Sequence, residues 1–307
     1  MDITPQIDVI IPCYNVERAI DLTLKGLMEQ NYPKEKYHCY FINDASTDKT
    51  ASILNSYSNY SEITIITHKR NKGRAITRNV GLKHSNADFI CFLDGDMEVQ
   101  HDWLRSLLVY FKSSDIVAVM GDNVMPQGIK PTIFEKYYFS HLRGARQLKD
   151  GDFVPRRLML FGNAMVRRNI FEHIGGYDES FVHYGGEDTD LAFRIADKFP
   201  KGFRFSNRSN SIHYHPRSVE SFCKSMYYYG QENLPILLAR YPKYKKELAG
   251  DWIYSVKGRL VFNPILRKIV NLIFKRYPSI FLTRYKVVNA VITGARDYYK
   301  AKKNAIN

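Results

Sequence analysis

The feature that most constrains the fold is an alternation. Five short β-rich runs, IDVIIP (7–12), HCYFIND (38–44), ITIITH (63–68), DFICFLD (88–94) and IVAVMG (116–121), are separated by stretches of helical pattern at 17–30, 49–57, 73–84 and 102–112. A strand with one wet face alternates apolar and polar residues, whereas a strand that is apolar at consecutive positions is covered on both faces. Strand, helix, strand, repeated, predicts an α/β fold with a mostly parallel sheet and right-handed crossovers. Such sheets bind ligands beyond the carboxyl ends of their strands, so the residues just after each run are the first to inspect.

Those residues are polar in a suggestive way. After the first run come Pro12, Tyr14, Asn15 and Glu17; after the second, Asn43 and Asp44; after the fourth, Asp94 and Asp96 in the string FICFLDGDMEV. An aromatic ring and carboxylates at one sheet edge suit a nucleotide base and ribose. Two hard oxygen ligands spaced by a glycine suit Mg²⁺ or Mn²⁺, which would bridge phosphates. A short Asp-Gly-Asp string is also an ordinary turn, and Asp48 in STDKT reads as a cap or turn residue. In NKGRAITRNVGL (71–82), Gly73 permits a tight turn, and Arg74, Arg78 and Asn79 face either a phosphate-bearing ligand or solvent.

The net charge of +14 suggests a nucleic-acid partner until it is located. From 240 to 307 there are 16 Lys and Arg against 3 Asp and Glu, and the remaining residues are nearly neutral at 29 against 28. A nucleic-acid binder would place its charge on the body, so that class is not expected. The four cysteines are far apart and read as reduced, and the acidic start MDITPQ is not that of a secretory leader.

Six blocks, VIIPCYNVERAI, FINDASTDKT, NKGRAITRNVGL, FICFLDGDMEV, FGNAMVRRNIFEHIGGYDESF and GGEDTDLAFRI, together resemble the nucleotide-sugar transferases of glycosyltransferase family 2 over residues 6 to 217. The resemblance implies a GT-A fold, a nucleoside-diphosphate sugar donor (often UDP-linked), a divalent metal, and inversion at the anomeric carbon. By position it implies that Pro12, Tyr14, Asn15 and Glu17 line the base and ribose, that Asp44 contacts the base, and that Arg78 lies near the nucleotide. Asp94 falls near ribose and metal, and Asp96 on the metal itself. Gly162 and Asn163 match the loop facing donor sugar and acceptor, and Glu187-Asp188 the Glu-Asp pair whose second member is the general base. Many enzymes of this fold add a histidine after that pair as a metal ligand; His213 is favoured and His215 is the alternative.

Read without the resemblance, Glu187, Asp188 and Asp190 are also simply acids in the first turn of a helix, where the dipole favours them. For Asp190 the structural role is preferred. The aromatics Tyr177, Phe181 and Tyr184 either line an acceptor or pack.

Beyond 217 the resemblance fades. Residues 218–240 read as one helix interrupted near Pro235. PILRKIVNLIFKRYP (264–278) is amphipathic, with Ile265, Leu266, Ile269, Val270, Leu272 and Ile273 on one arc, Arg267, Lys268, Asn271 and Lys275 opposite, and Arg276 an exception. No run reaches the ~18–20 apolar residues needed to span a bilayer. The tail is therefore expected to lie on an anionic membrane surface, the rival being packing on the body or on a second subunit. The expectation is a GT-A domain over 1–217 and a basic helical extension over 218–307. The enzyme would be cytoplasmic and peripheral on the inner face of the membrane, building cell-surface glycans on a glycan or lipid-linked acceptor. A nucleotidyltransferase would need a Gly-rich basic loop after the first strand, which PCYNVE is not. A degenerate glycan-binding or scaffold protein on the same fold would lack the base or metal carboxylates.

Overall fold

The computed structural model describes residues 4–214 and 217–305. In chain order the elements begin with β1 (Ile7–Cys13), α1 (Ile20–Met28), β2 (Tyr37–Asn43), α2 (Thr50–Asn55), β3 (Ile63–Thr67), α3 (Arg74–His84), β4 (Phe89–Leu93), β5 (Met97–Val99) and α4 (Trp103–Leu108). They continue with β6 (Ala118–Val124), α5 (Ile133–Tyr138), β7 (Asn163–Arg167), α6 (Ile170–Ile174), α7 (Glu187–Lys198) and β8 (Phe203–His213). The C-terminal helices are α8 (Val219–Tyr228), α9 (Leu234–Arg240), α10 (Val256–Val261), α11 (Pro264–Arg276) and α12 (Ile280–Asn304).

The chain divides into two compact units. The first comprises the described residues of Met1–Gly128, Gly144–Val182 and Glu187–His215; the second those of Ile129–Arg143, His183–Gly186 and Pro216–Asn307. Two segments from inside the first sequence block thus group with the C-terminal helices. The reason is visible in α5, whose Phe134 and Tyr137 are buried in a cluster with Val219, Phe222, Phe274 and Val287.

The first unit holds an eight-stranded sheet in the order β3-β2-β1-β4-β7-β6-β8-β5. The pairs β3/β2, β2/β1, β1/β4 and β6/β8 are parallel, while β7 runs antiparallel to β4 and β6, and β5 antiparallel to β8. Period two along β1 divides its residues between two cores. Ile7, Val9 and Ile11 face a layer with Leu24 and Leu27 of α1 and Trp103 and Leu107 of α4, while Ile10 faces one with Ala75 of α3 and Leu191 and Ile195 of α7. Both faces are covered, which is why consecutive positions are apolar.

In the second unit the 218–240 helix is interrupted, but before the proline. A single π turn, Tyr229–Asn233, separates α8 from α9, and Pro235 lies in the first turn of α9. The π turn lies where α12 crosses. A Cβ on Gly230 would stand 2.1 Å from the Val291 carbonyl oxygen, and one on Gly294 would stand 2.1 Å from that of Tyr227. Only glycine permits so close a crossing. Tyr227 does not remain free but donates to Asp297 at 2.8 Å, and Tyr184 packs edge-on against Phe222.

Candidate active site

At the carboxyl ends of β1 and β2 two loops are laced together. Asn15, in the left-handed region at φ 53°, accepts from the Thr47 amide at 2.8 Å, and its own N–H donates to Ser46. Glu17 accepts from the Lys49 amide at 2.9 Å, and Asp48 accepts from the Glu17 and Thr50 amides. Pro12 is the penultimate residue of β1, and Tyr14 is 48% exposed, leaving its ring open to solvent at the sheet edge.

Asp44 follows β2 and is buried. Its Oδ1 accepts from the Lys72 amide at 2.8 Å and lies 2.8 Å from His68 Nδ1, while Oδ2 accepts from the Gly73 amide at 2.9 Å. Its carboxylate therefore organises the 68–73 loop. His68 had no sequence signal beyond being the last residue of a strand-like run.

The structure excludes the solvated alternative for Arg78: its side chain is 0% exposed and forks between two carboxylates. Nη1 donates to Asp188 Oδ1 at 2.6 Å and Nη2 to Asp94 Oδ1 at 2.9 Å, with the guanidinium over the ring of Tyr177. Burial opposes its charge, but the surrounding carboxylates, Asp188 and Asp94 foremost, outweigh that and hold it protonated. Asp94 in turn titrates below the usual range, because Arg74 and Arg78 overcome the upward push of burial. Tyr177 and Phe181 are core residues, which settles the acceptor-or-packing alternative for them as packing.

The sheet register explains how the Asp-Gly-Asp pair is aimed. Asp94 directly follows β4, and three positions later the chain enters β5, whose Met97 lies opposite His213 at the end of β8. Asp96 Oδ1 and His213 Nε2 are 3.3 Å apart as a result, and the Tyr214 amide donates to the Asp96 carbonyl at 2.9 Å. Among the described residues no three His, Cys, Asp or Glu side chains form a cage. An oxygen and an imidazole nitrogen side by side fit a hard divalent cation that completes its shell with ligand phosphate and water. His215 lies outside the described residues.

Gly162 and Asn163 both have structural contacts within the first unit. A Cβ on Gly162 would fall 2.7 Å from Asp94 Oδ2, so the glycine makes room for that carboxylate, and its carbonyl accepts from the Asp94 amide at 2.9 Å. Asn163 is turned inward rather than toward a donor. Its Oδ1 accepts from Trp103 Nε1 at 2.9 Å and its Nδ2 donates to the carbonyls of Asp122 and Ser209, which ties α4, β6 and β8 together.

Asp188 Oδ2 accepts from the Phe161 amide at 3.2 Å, so both oxygens of the candidate base are oriented. Asp190 is structural: it accepts from Arg194 Nε at 2.8 Å, and Arg194 also donates to the carbonyls of Ile174 and Gly176.

Glu187 is buried, with Oε1 3.5 Å from Arg74 and Oε2 lacking a hydrogen-bond partner. Burial and the charge of Asp188 raise its carboxyl above 4.5. The folded chain then keeps a proton that the unfolded chain has released, so stability falls as pH rises through 4.5 to the folded value. Glu187→Gln is expected to remove this slope. Thermal melts should place the variant above the parent at neutral pH, by on the order of 1 kcal/mol, with the gap closing below 4.5.

Comparison with known proteins gives the family and the fold. The family model described as glycosyl transferase family 2 matches residues 8–175, and one described as the N-terminal domain of galactosyltransferase matches 156–217. Glycosyltransferase AglE of Haloferax volcanii is 26% identical over 198 residues, 62% of this chain and 64% of its own length, so the chain spans less than two thirds of that relative. EpsE of Bacillus subtilis is 25% identical over 93% of this chain and 94% of its own. In fold, the chain resembles S. aureus TarS 1-349 in complex with UDP-GlcNAc, with a TM-score of 0.56 at 18% identity over 96% of this chain and 92% of that one. It also resembles the mannosyltransferase PcManGT of Pyrobaculum calidifontis in complex with GDP-Man and Mn²⁺, with a TM-score of 0.60 at 18% identity over 96% and 88%. With more than half its length matched by the family model and the carboxylates gathered at the sheet edge, the chain belongs to glycosyltransferase family 2.

Proposed function

We propose that this chain transfers a sugar from a nucleoside-diphosphate donor, UDP-linked, to a hydroxyl of a glycan or lipid-linked acceptor, with inversion, in the synthesis of cell-surface polysaccharide. The observation that carries this reading is the chain Asp188–Arg78–Asp94 beside Asp96 and His213. An inverting transfer needs a carboxylate to take the acceptor proton as the hydroxyl attacks opposite the leaving nucleotide, and Asp188, oriented by Arg78 and the Phe161 amide, is that group. Tyr14 stacks on the base, Asn15 and Glu17 hold the loop beneath it, and Asp94 meets the ribose. Asp96 and His213 would hold Mn²⁺ or Mg²⁺, and the cation would supply positive charge against the negative charge growing on the departing diphosphate. The complexes of TarS with UDP-GlcNAc and of PcManGT with GDP-Man and Mn²⁺ support donor and metal by analogy. The C-terminal extension, the second domain of this reading, places the enzyme on the cytoplasmic face of an anionic membrane.

A panel of UDP- and GDP-sugars, assayed with Mn²⁺ for released nucleoside diphosphate, tests the reading, and the anomeric configuration of the product by NMR tests inversion. One donor should be consumed. Asp96→Ala should weaken Mn²⁺-dependent donor binding by at least about tenfold in calorimetry, the loss expected for a single metal ligand. Failure of every donor to bind or turn over would reject the proposal.

A further inference from the structure

The amphipathic helix of the C-terminal unit has two apolar faces. Val270 and Phe274, with half-buried Leu266, form a row at i, i+4 and i+8 turned into the unit, and Phe274 joins the aromatic cluster around Phe222. Ile265, Ile269, Leu272 and Ile273 form a second row at i, i+4, i+7 and i+8. They are 73, 48, 73 and 44% exposed. Scattered exposed aliphatics are ordinary on a protein surface, but four in register along one helix face are not. Tyr277 and Phe281, both well exposed, follow the row directly.

The charge around the row is one-sided. From 252 to 296 the chain has nine Lys and Arg and no Asp or Glu. On α11 the exposed Lys268 and Lys275 share one border of the row, while Arg276 stands within the row at its C-terminal end, in the last turn of the helix, where its long side chain can reach the headgroups. A protein partner would need a matching acidic and apolar surface, and nucleic acid would leave the aliphatics wet. An anionic bilayer answers both, with headgroups for the cations and acyl chains for the row.

We infer that the outer face of α11, carrying Ile265, Ile269, Leu272 and Ile273, inserts into an anionic lipid surface, while its inner face holds the helix to the unit. This rests on the membrane reading above and deepens it by naming which residues enter the lipid. The half of the apolar arc that packs inward stays with the protein. Tyr277 lies at headgroup depth, where amphipathic aromatics are favoured, and the exposed ring of Phe281 adds to the apolar surface.

The test is flotation of the full chain with vesicles of equal parts phosphatidylglycerol and phosphatidylcholine, and with phosphatidylcholine alone. The parent should float with the anionic vesicles only. Ile269→Glu with Leu272→Glu should reduce partitioning by at least about tenfold, and Gln at Lys268, Lys275 and Arg276 by about a hundredfold, both with unchanged donor turnover. Both sets of positions are exposed, and thermal melts check the fold. As an independent readout, Leu272→Trp should shift its emission to the blue on adding anionic vesicles. If the parent does not float, the membrane reading itself fails. If it floats and the Glu variant floats equally, only the inserted face is wrong. If the Glu variant instead converts a dimer to a monomer in sedimentation, a second copy of the chain covers the row and the inference is overturned.

Discussion

Asp188→Asn is expected to lower sugar transfer by about 10² to 10⁴-fold, the range lost with a general base, while leaving donor affinity within a few-fold. The substitution is nearly isosteric, and the amide oxygen can still accept from Arg78 Nη1, which now holds Asp188 at 2.6 Å. What is lost is the acceptor for the Phe161 amide, now met by the Asn nitrogen, and, on the proposed reading, the oxygen that takes the proton. Calorimetry with donor and turnover with acceptor separate binding from chemistry, and a melt shows whether the variant remains folded. An Asp188→Asn protein that transfers at the parent rate would remove Asp188 from the reaction.

Arg78→Met is expected to damage stability and activity together. The guanidinium is fully buried and neutralises Asp188 and Asp94, whose side chains are only 12 and 18% exposed. Removing one partner of a buried ion pair costs about 3–5 kcal/mol because the other charge is left in a poor solvent. Here two carboxylates are left, with Glu187 and Asp96 nearby. Arg78→Lys should recover only part of the loss, since one ammonium cannot reproduce the fork. Denaturant unfolding measures the first effect and turnover the second. An unchanged midpoint for Arg78→Met would show that the carboxylates do not depend on this clamp, and that arginine is better read as a ligand group.

The two variants act on one assembly, so their effects should not add. Asp188→Asn removes one of the two negative charges that Arg78 balances, and adding Arg78→Met should then cost less than it does in the parent.

Much of the fold was legible along the chain, for a reason seen in β1, β2 and β4. A strand covered on both faces must be apolar at consecutive positions, and that pattern survives without any knowledge of its neighbours. The antiparallel strands were not legible. β5 is three residues long, too short to show a period, and β7 is bounded by the polar Asn163 and Arg167, which leaves only three apolar residues, Ala164 to Val166, as a signal. The candidate site divides in the same way. The carboxylates of the Asp-Gly-Asp string and of Glu187-Asp188 announce themselves as charges beside apolar runs. That Asp96 meets His213 depends on the pairing of Met97 with His213 across β5 and β8, residues over a hundred positions apart.

Side-chain direction was the other hidden quantity. Arg78, Asn163 and Tyr177 all lie in blocks that read as ligand-facing, yet each is buried and engaged by protein. On α11 the helical period shows a broad apolar arc but cannot divide it between core and solvent. Sequence alone determined the parallel α/β plan, the kind of chemistry at its strand ends and the basic character of the tail, because burial and charge are written residue by residue. Only the tertiary structure decided which carboxylates share an arginine, which aspartate meets the histidine, and which half of α11 stays exposed. Those depend on strand register and packing between residues far apart in the chain, which no local pattern records.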